Sequence, residues 1–232
     1  MKRSQINQLL RENAAFLQRM NFLLPPFSTW SPEDWRQKGP ECREIVEQQL
    51  GWDITDFGSG DFEKVGLFLF TVRNGKTTDP NGKPYAEKIM IVQEGQVTPI
   101  HFHFSKMEDI INRGGGELLI QLWNSDENEG LADTDVTLSC DGVRVTVPAG
   151  GTITLKPGDS VTLPQYCYHT FKGKPGCGTV LVGEVSRVND DHTDNRFYEP
   201  IGRFPAIEED EEPLYLLGND YAKYYRFCQA AV

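Results

Sequence analysis

The spacing of apolar residues changes period once along the chain. Over residues 2–20, Ile6, Leu9, Leu10, Ala14, Phe16, Leu17 and Met20 recur at steps of three and four, which predicts an amphipathic helix beginning near Ser4. Pro25-Pro26, inside the stretch Phe22 to Phe27, ends it in an extended connector. Ser31-Pro32-Glu33-Asp34 has the form of an N-cap followed by Pro at the first helical position, and a third helical stretch is predicted from Glu41 to Leu50. From Val65 the period becomes two. Strands are predicted over 66–72, 87–93, 98–104, 117–123, 135–139, 143–147, 152–155, 160–163, 166–171 and 178–186. Asn74-Gly75, Asn81-Gly82, Asp141-Gly142 and Pro157-Gly158 are the turn signals among them, so the expected architecture is an all-β antiparallel sandwich or barrel. The segment from Asp190 to Pro213 is polar and interrupted by Pro; its acidic run, Glu208–Glu212, is expected to be a solvated loop. A last short helix is expected over 220–228, where Tyr221, Tyr224, Tyr225 and Phe227 predict docking. The whole reads as a single domain over 1–232. It has a helical N-terminal extension (1–60), a β-barrel core (61–188) and a C-terminal loop and short helix (189–232), the helices lying on the barrel or on a neighbouring subunit.

The candidate chemistry lies in the strand-rich part. His101 and His103 fall in one predicted strand, and residues two apart on a strand point to the same face. On a helix the same pair is splayed by about 200°. With Glu108 and the distant His169 they offer three imidazoles and one carboxylate, a donor set suited to a divalent first-row metal. The alternative is that all four are ordinary polar residues on strand surfaces. The windows read G-x5-H-x-H-x4-E-x6-G from Gly95 to Gly115 and G-x5-P-x4-H from Gly158 through Pro164 to His169. In that order they resemble the two signatures of the cupins. Tyr166 stands where cupins usually carry a second Gly, and Gly173 where they often carry Asn, neither being a ligand position. The resemblance implies a cupin fold, a double-stranded β-helix or jelly-roll barrel, with N-terminal and C-terminal helical additions. His192 lies outside both windows and reads as a loop residue.

More specifically, the chain resembles the D-lyxose isomerase family over almost its whole length. The resemblance is carried by Leu24-Pro25-Pro26-Phe27, Trp30, the run from His101 to Ile110, Gly114-Gly115-Gly116, Gln121-Leu122, Val188-Asn189-Asp190-Asp191 and Asn195-Arg196-Phe197. It implies interconversion of D-lyxose with D-xylulose and often of D-mannose with D-fructose, with Mn2+ as the usual metal. By motif, the implied ligands are His101, His103, Glu108 and His169. Two other functions use the same parts: an iron-dependent cupin dioxygenase with the same four ligands, and a non-catalytic metal-containing sugar-binding protein, because fold alone does not decide function.

Isomerisation needs a group to move a proton between C1 and C2 and another to stabilise charge on the enediol oxygens. Lys106, two residues before Glu108, would share its face if both stood on one strand; otherwise it is a surface lysine with its head in water. Glu184 is the candidate base. It alternates with Val180 and Val182 on a face expected to point inward, unless Gly183 marks a bulge that turns it to solvent. Asp190, Glu199 and Arg203 follow on a segment that can close over the mouth, and are candidates for gripping sugar hydroxyls.

Charge and cysteine content narrow the partners. A net charge of −11 disfavours a nucleic-acid backbone or an anionic membrane surface, and no helix-turn-helix or basic patch is apparent, so a neutral small molecule fits better. The five cysteines are scattered without a CxxC and read as reduced thiols. Lys2 and Arg3 open a polar amphipathic stretch rather than a signal peptide, and no apolar run is long enough to span a bilayer. The expectation is a cytoplasmic homodimer.

Overall fold

The computed structural model describes residues 1–188, 193–202 and 205–227. Thirteen strands, four short to medium α-helices and three single-turn 3-10 helices account for the described regular structure. The α-helices are α1 (Arg3–Arg19), α2 (Pro32–Gln37), α3 (Arg43–Glu47) and α4 (Tyr221–Tyr224). The strands are β1 (Gly51–Thr55), β2 (Leu67–Arg73), β3 (Tyr85–Val92), β4 (Val97–His103), β5 (Glu108–Gly115), β6 (Leu118–Asn124) and β7 (Val136–Cys140), then β8 (Val143–Val147), β9 (Gly151–Leu155), β10 (Ser160–Leu163), β11 (Cys167–Gly173), β12 (Val180–Arg187) and β13 (Asn195–Phe197). They form two antiparallel sheets, one of eight strands in the order β1-β2-β3-β12-β5-β10-β7-β8 and one of five in the order β13-β4-β11-β6-β9. This is the all-β cupin barrel with helical additions that the sequence predicts.

The β2-β3-β12 part of the eight-stranded sheet is buried on both faces. Leu67, Leu69, Met90, Val92, Val180 and Val182 point into the barrel and pack with Leu118, Ile120 and Leu122 of the facing sheet. The alternate residues, Phe68, Phe70, Ile89, Ile91 and Leu181, point out and are covered by Ile6, Leu10 and Leu17 of α1. The first helix, α1, therefore lies on its own barrel. Ser31 caps α2 as expected, its hydroxyl accepting from Asp34 N at 3.2 Å. The C-terminal aromatics dock as expected: Tyr221 and Tyr225 stack on Trp35 at ring separations of 4.7 and 5.8 Å.

Three expectations are corrected. The stretch 1–60 is not helical to its end, because residues 51–55 form β1, the edge of the larger sheet. The expected C-terminal loop contains β13, which pairs with β4. The acidic run Glu208–Glu212 is more than a solvated loop, since it docks on the first turn of α1. Asp210 accepts from Ser4 N at 2.9 Å and Ser4 Oγ at 2.7 Å, and Glu209 accepts two bonds of 2.8 Å from the Arg3 guanidinium. Carboxylates here satisfy the unpaired N–H groups of the helix start and meet its positive end. The fully buried Arg3 is also forked onto Asp220, at 2.8 and 3.0 Å.

Two backbone positions explain the motif residues that frame the site. Gly115 has φ +86°, and a Cβ there would lie 2.2 Å from the Thr179 carbonyl oxygen, so a side chain is excluded twice over. Tyr166 also adopts a left-handed conformation, with φ +60°, which is why glycine is usual at that position in the motif. Its ring is half exposed and packs on Phe102 and Phe104, at centroid distances of 5.2 and 6.0 Å.

Candidate metal centre and active site

The two histidines of β4 and the one of β11 meet because these strands are neighbours in register, His101 standing opposite His169. Their nitrogens lie within 4.8 Å of one another, and all three residues are buried. Glu108 comes from the other sheet, at the start of β5, and its Oε1 lies 3.3 Å from both His103 Nε2 and His169 Nε2. The four residues singled out by the two windows thus converge on one point inside the barrel.

The ring orientations fit a metal. His101 Nδ1 lies 2.8 Å from the Pro99 carbonyl, and His169 Nδ1 lies 3.1 Å from the Cys167 carbonyl. A carbonyl only accepts, so each Nδ1 carries the hydrogen and each Nε2 keeps a lone pair for an ion. Glu108 Oε1 is buried without a hydrogen-bond partner among the described residues, an orphan acceptor among imidazoles. An orphan of this kind, in a site with three imidazoles, is what a divalent cation would satisfy.

Burial disfavours the charged forms of His169 and His101. It pushes His169 down to about 4, against the opposing pull of Glu108. His101 is likewise well below its ordinary value, through burial and the neighbouring His169 and His103. Burial acts on Glu108 in the opposite sense, upward, but is outweighed by the Lys106 ammonium and by His103, which leave its carboxyl well below the usual range. The consequence for stability has a definite sign. Between about pH 6.5, where a free imidazole titrates, and about 4 for His169, the unfolded chain binds a proton that the folded chain refuses. Stability is therefore complete above that window and falls as pH falls through it. The melting temperature of metal-free protein should drop between pH 7 and pH 4.5, and a flat profile there would contradict this account.

Beyond the ligands, a line of alternating charges crosses the cavity. Lys106 Nζ lies 2.7 Å from Glu108 Oε2 and 2.9 Å from Glu184 Oε1, and Lys88 Nζ lies 3.6 Å from the same Glu184 oxygen. Ser186 Oγ donates to that oxygen at 3.1 Å. Glu184 points inward with Val180 and Val182, paired across the sheet with Lys88 of β3, and is 5 % exposed. The inward alternative is therefore the correct one, and Gly183 makes no bulge in the pairing with β3. Lys106 is 2 % exposed, which excludes a solvated surface lysine. The reason given for its reach is corrected, however. Residues 104–107 form the turn between β4 and β5, so Lys106 enters the cavity from a turn that crosses between sheets, not from a shared strand face.

Other candidates fare differently. Glu199 is exposed and is not among the described residues lining the cavity, because the chain has left β13 for the surface by that point. Asp190, Arg203 and His192 lie outside the described residues. Several lining residues carried no sequence expectation: Lys88, Asp53 and Thr55 of β1, and Asn195 of β13. Lys88 was legible by the argument that singled out Glu184, since it alternates with Met90 and Val92 on an inward face. Asp53 and Thr55 were hidden in a stretch read as helix and its exit. The four described cysteines are free, and burial followed by the charge of Glu108 pushes the Cys167 thiol up to about 12, leaving it inert at neutral pH. Among the described residues no helix is long and apolar enough to cross a membrane.

Comparison with known proteins agrees with this geometry. Residues 1–221 match the family profile described as D-lyxose isomerase. A D-lyxose/D-mannose isomerase of Serratia proteamaculans is 50 % identical over 229 residues, covering 97 % of this chain and 99 % of that protein. One from Escherichia coli is 48 % identical over 226 residues, covering 97 % and 100 %. Among solved structures, the ligand-free L-ribose isomerase of Cellulomonas parahominis superposes with a TM-score of 0.61 at 16 % identity, covering 90 % of this chain and 98 % of that one. That likeness concerns the fold.

Proposed function

The chain belongs to the D-lyxose isomerase family, and from that premise we propose that its buried metal and carboxylate site interconverts D-lyxose with D-xylulose and D-mannose with D-fructose. The observation that carries the proposal is the joining, in one cavity, of the His101, His103 and His169 cluster, with Glu108 3.3 Å from two of its nitrogens, to a separate buried carboxylate, Glu184, held between two lysines. A dioxygenase or a sugar sensor needs the first set but has no use for the second.

His101, His103, Glu108 and His169 would hold the metal, for which we propose Mn2+. Bound there, it supplies a Lewis acid that stabilises negative charge on the enediol oxygens. The proton movements belong to the chain. Glu184 takes the proton from C2 of the open-chain aldose and returns it to C1, while Lys106 carries the hydroxyl proton from O2 to O1. The C2–H and O2–H bonds are thereby replaced by C1–H and O1–H, and C2 becomes the carbonyl of the ketose. Lys106 stands between Glu108 and Glu184, so the same ammonium faces the ligand set and the base. Asp53, Thr55 and Asn195 offer polar groups for the more distant hydroxyls, a role the sequence had pointed to in Asp190, Glu199 and Arg203. D-Lyxose and D-mannose share their configuration at C2 and C3, so a site that reads those carbons accepts both.

The test is a ketose-forming assay across pentoses and hexoses, with metal stripped by chelation and then restored. D-Lyxose and D-mannose should turn over, chelation should abolish turnover and Mn2+ should restore it. Turnover indifferent to chelation, or consumption of sugar only in the presence of oxygen, would overturn the proposal. Free cysteines and an acidic surface accord with a cytoplasmic location. Light scattering would test the expected homodimer.

A further inference from the structure

We propose that Asp194, just before β13, is a positioning residue that sets both the tautomer of His103 and the placement of Lys106. Three successive N–H groups of the turn after β4 converge on it. Phe104 N donates to the Asp194 carbonyl at 3.1 Å, Ser105 N to Oδ1 at 2.7 Å and Lys106 N to Oδ2 at 3.1 Å. A carboxylate that gathers consecutive backbone donors fixes a turn tightly, because charge-assisted bonds are about twice as strong as neutral ones. That turn carries Lys106 into the cavity, so its geometry decides where the ammonium stands.

The second observation concerns the ligand that lacks a fixed tautomer. His101 and His169 each have a carbonyl on Nδ1, whereas His103 Nδ1 is buried with no hydrogen-bond partner among the described residues. The group facing it is Asp194 Oδ2, at 3.9 Å. A carboxylate, like a carbonyl, only accepts, so Asp194 favours a hydrogen on Nδ1. Glu108 Oε1, 3.3 Å from Nε2, competes for one there until an ion takes that lone pair, and the tautomer Asp194 supports is the one that binds the ion. Asp194 is 6 % exposed and does not line the cavity among the described residues, which separates it from groups that would touch substrate. One buried residue therefore serves the metal ligand and the proton carrier together, and ties both to β13. This deepens the proposed function and rests on its ligand set.

Two measurements test it. In parent protein loaded with diamagnetic Zn2+ at neutral pH, nitrogen-15 spectra of the imidazoles should show His103 with its hydrogen on Nδ1 and Nε2 shifted by the ion; a hydrogen on Nε2 would overturn the assignment. This readout needs no variant to fold and no turnover, so it stands apart from any failure of the isomerase reading itself. In Asp194→Asn, the amide presents donors where the turn also presents donors. Metal affinity, read by chelator competition on the folded fraction, should weaken by about 10–100-fold. The kcat for D-lyxose should fall while KM stays within about twofold, as for an interaction realised only in the transition state. A variant with parental metal affinity and parental kcat, altered only in melting temperature, would make Asp194 merely structural and end the proposal.

Discussion

Glu184→Gln should lower kcat for D-lyxose by about a hundredfold or more, the usual contribution of a positioned general base, while metal content stays at the parental level. The amide keeps the size of the side chain but cannot take a proton from carbon. KM should change little, because the carboxylate is assigned to the proton and not to holding the sugar. The variant should also melt at a lower temperature, since Lys106 and Lys88 would lose the charge lying 2.9 and 3.6 Å away. Kinetics should accordingly be referred to folded, metal-loaded protein. In deuterated buffer the parent enzyme should place deuterium at C1 of the ketose, at least in part, and the variant should lose that exchange together with turnover. Normal turnover in Glu184→Gln would remove Glu184 from the mechanism.

His169→Ala should weaken metal binding by at least about a hundredfold, because even the outer partners of metal ligands are worth 10–100-fold. The loss should be measured by elemental analysis after gel filtration and by chelator competition. His169 is 1 % exposed, so alanine also leaves a cavity. His169→Gln, which fills more of that space, separates the two effects: it should recover melting temperature more than metal affinity. Full metal occupancy and activity in both variants would take His169 out of the ligand set.

The candidate ligands were legible because strand alternation is strict. His101 and His103 share a face at any register, and His169 needed only a neighbouring strand to meet them. Glu184 was legible for the same reason, as a charge inside an apolar alternation. Strand β5 escaped notice because of what it does. Its inward residues are Glu108, Ile110, Asn112 and Gly114, so the face that would have shown apolar periodicity is occupied by a metal ligand and by Asn112, whose amide donates to the Gly116 and Leu155 carbonyls at 2.9 Å each. Strand β1 inverts the usual pattern. Trp52 and Ile54 point outward under α1, while Asp53 and Thr55 line the cavity, and a rule that places apolar residues in the barrel misreads it. Asp194 carried no local signal, because its partners lie about ninety residues earlier, at a sequence separation of 88–89. A functional residue is thus easiest to find when it breaks a pattern and hardest when the whole element is given over to function.

The forked pairing of Arg3 with Asp220 has a bearing on the order in which the molecule is built. These residues are 217 positions apart, and the guanidinium has no exposure once they meet. A cation buried without its carboxylate is strongly unfavourable, so α1 cannot complete its seat until the segment bearing Asp220, 217 residues later, has been synthesised. The barrel strands between them can pair while α1 waits. Closure of the Arg3, Glu209 and Asp220 cluster then follows the pairing of the strands between them, and locks α1 to a segment more than two hundred residues later over a finished barrel.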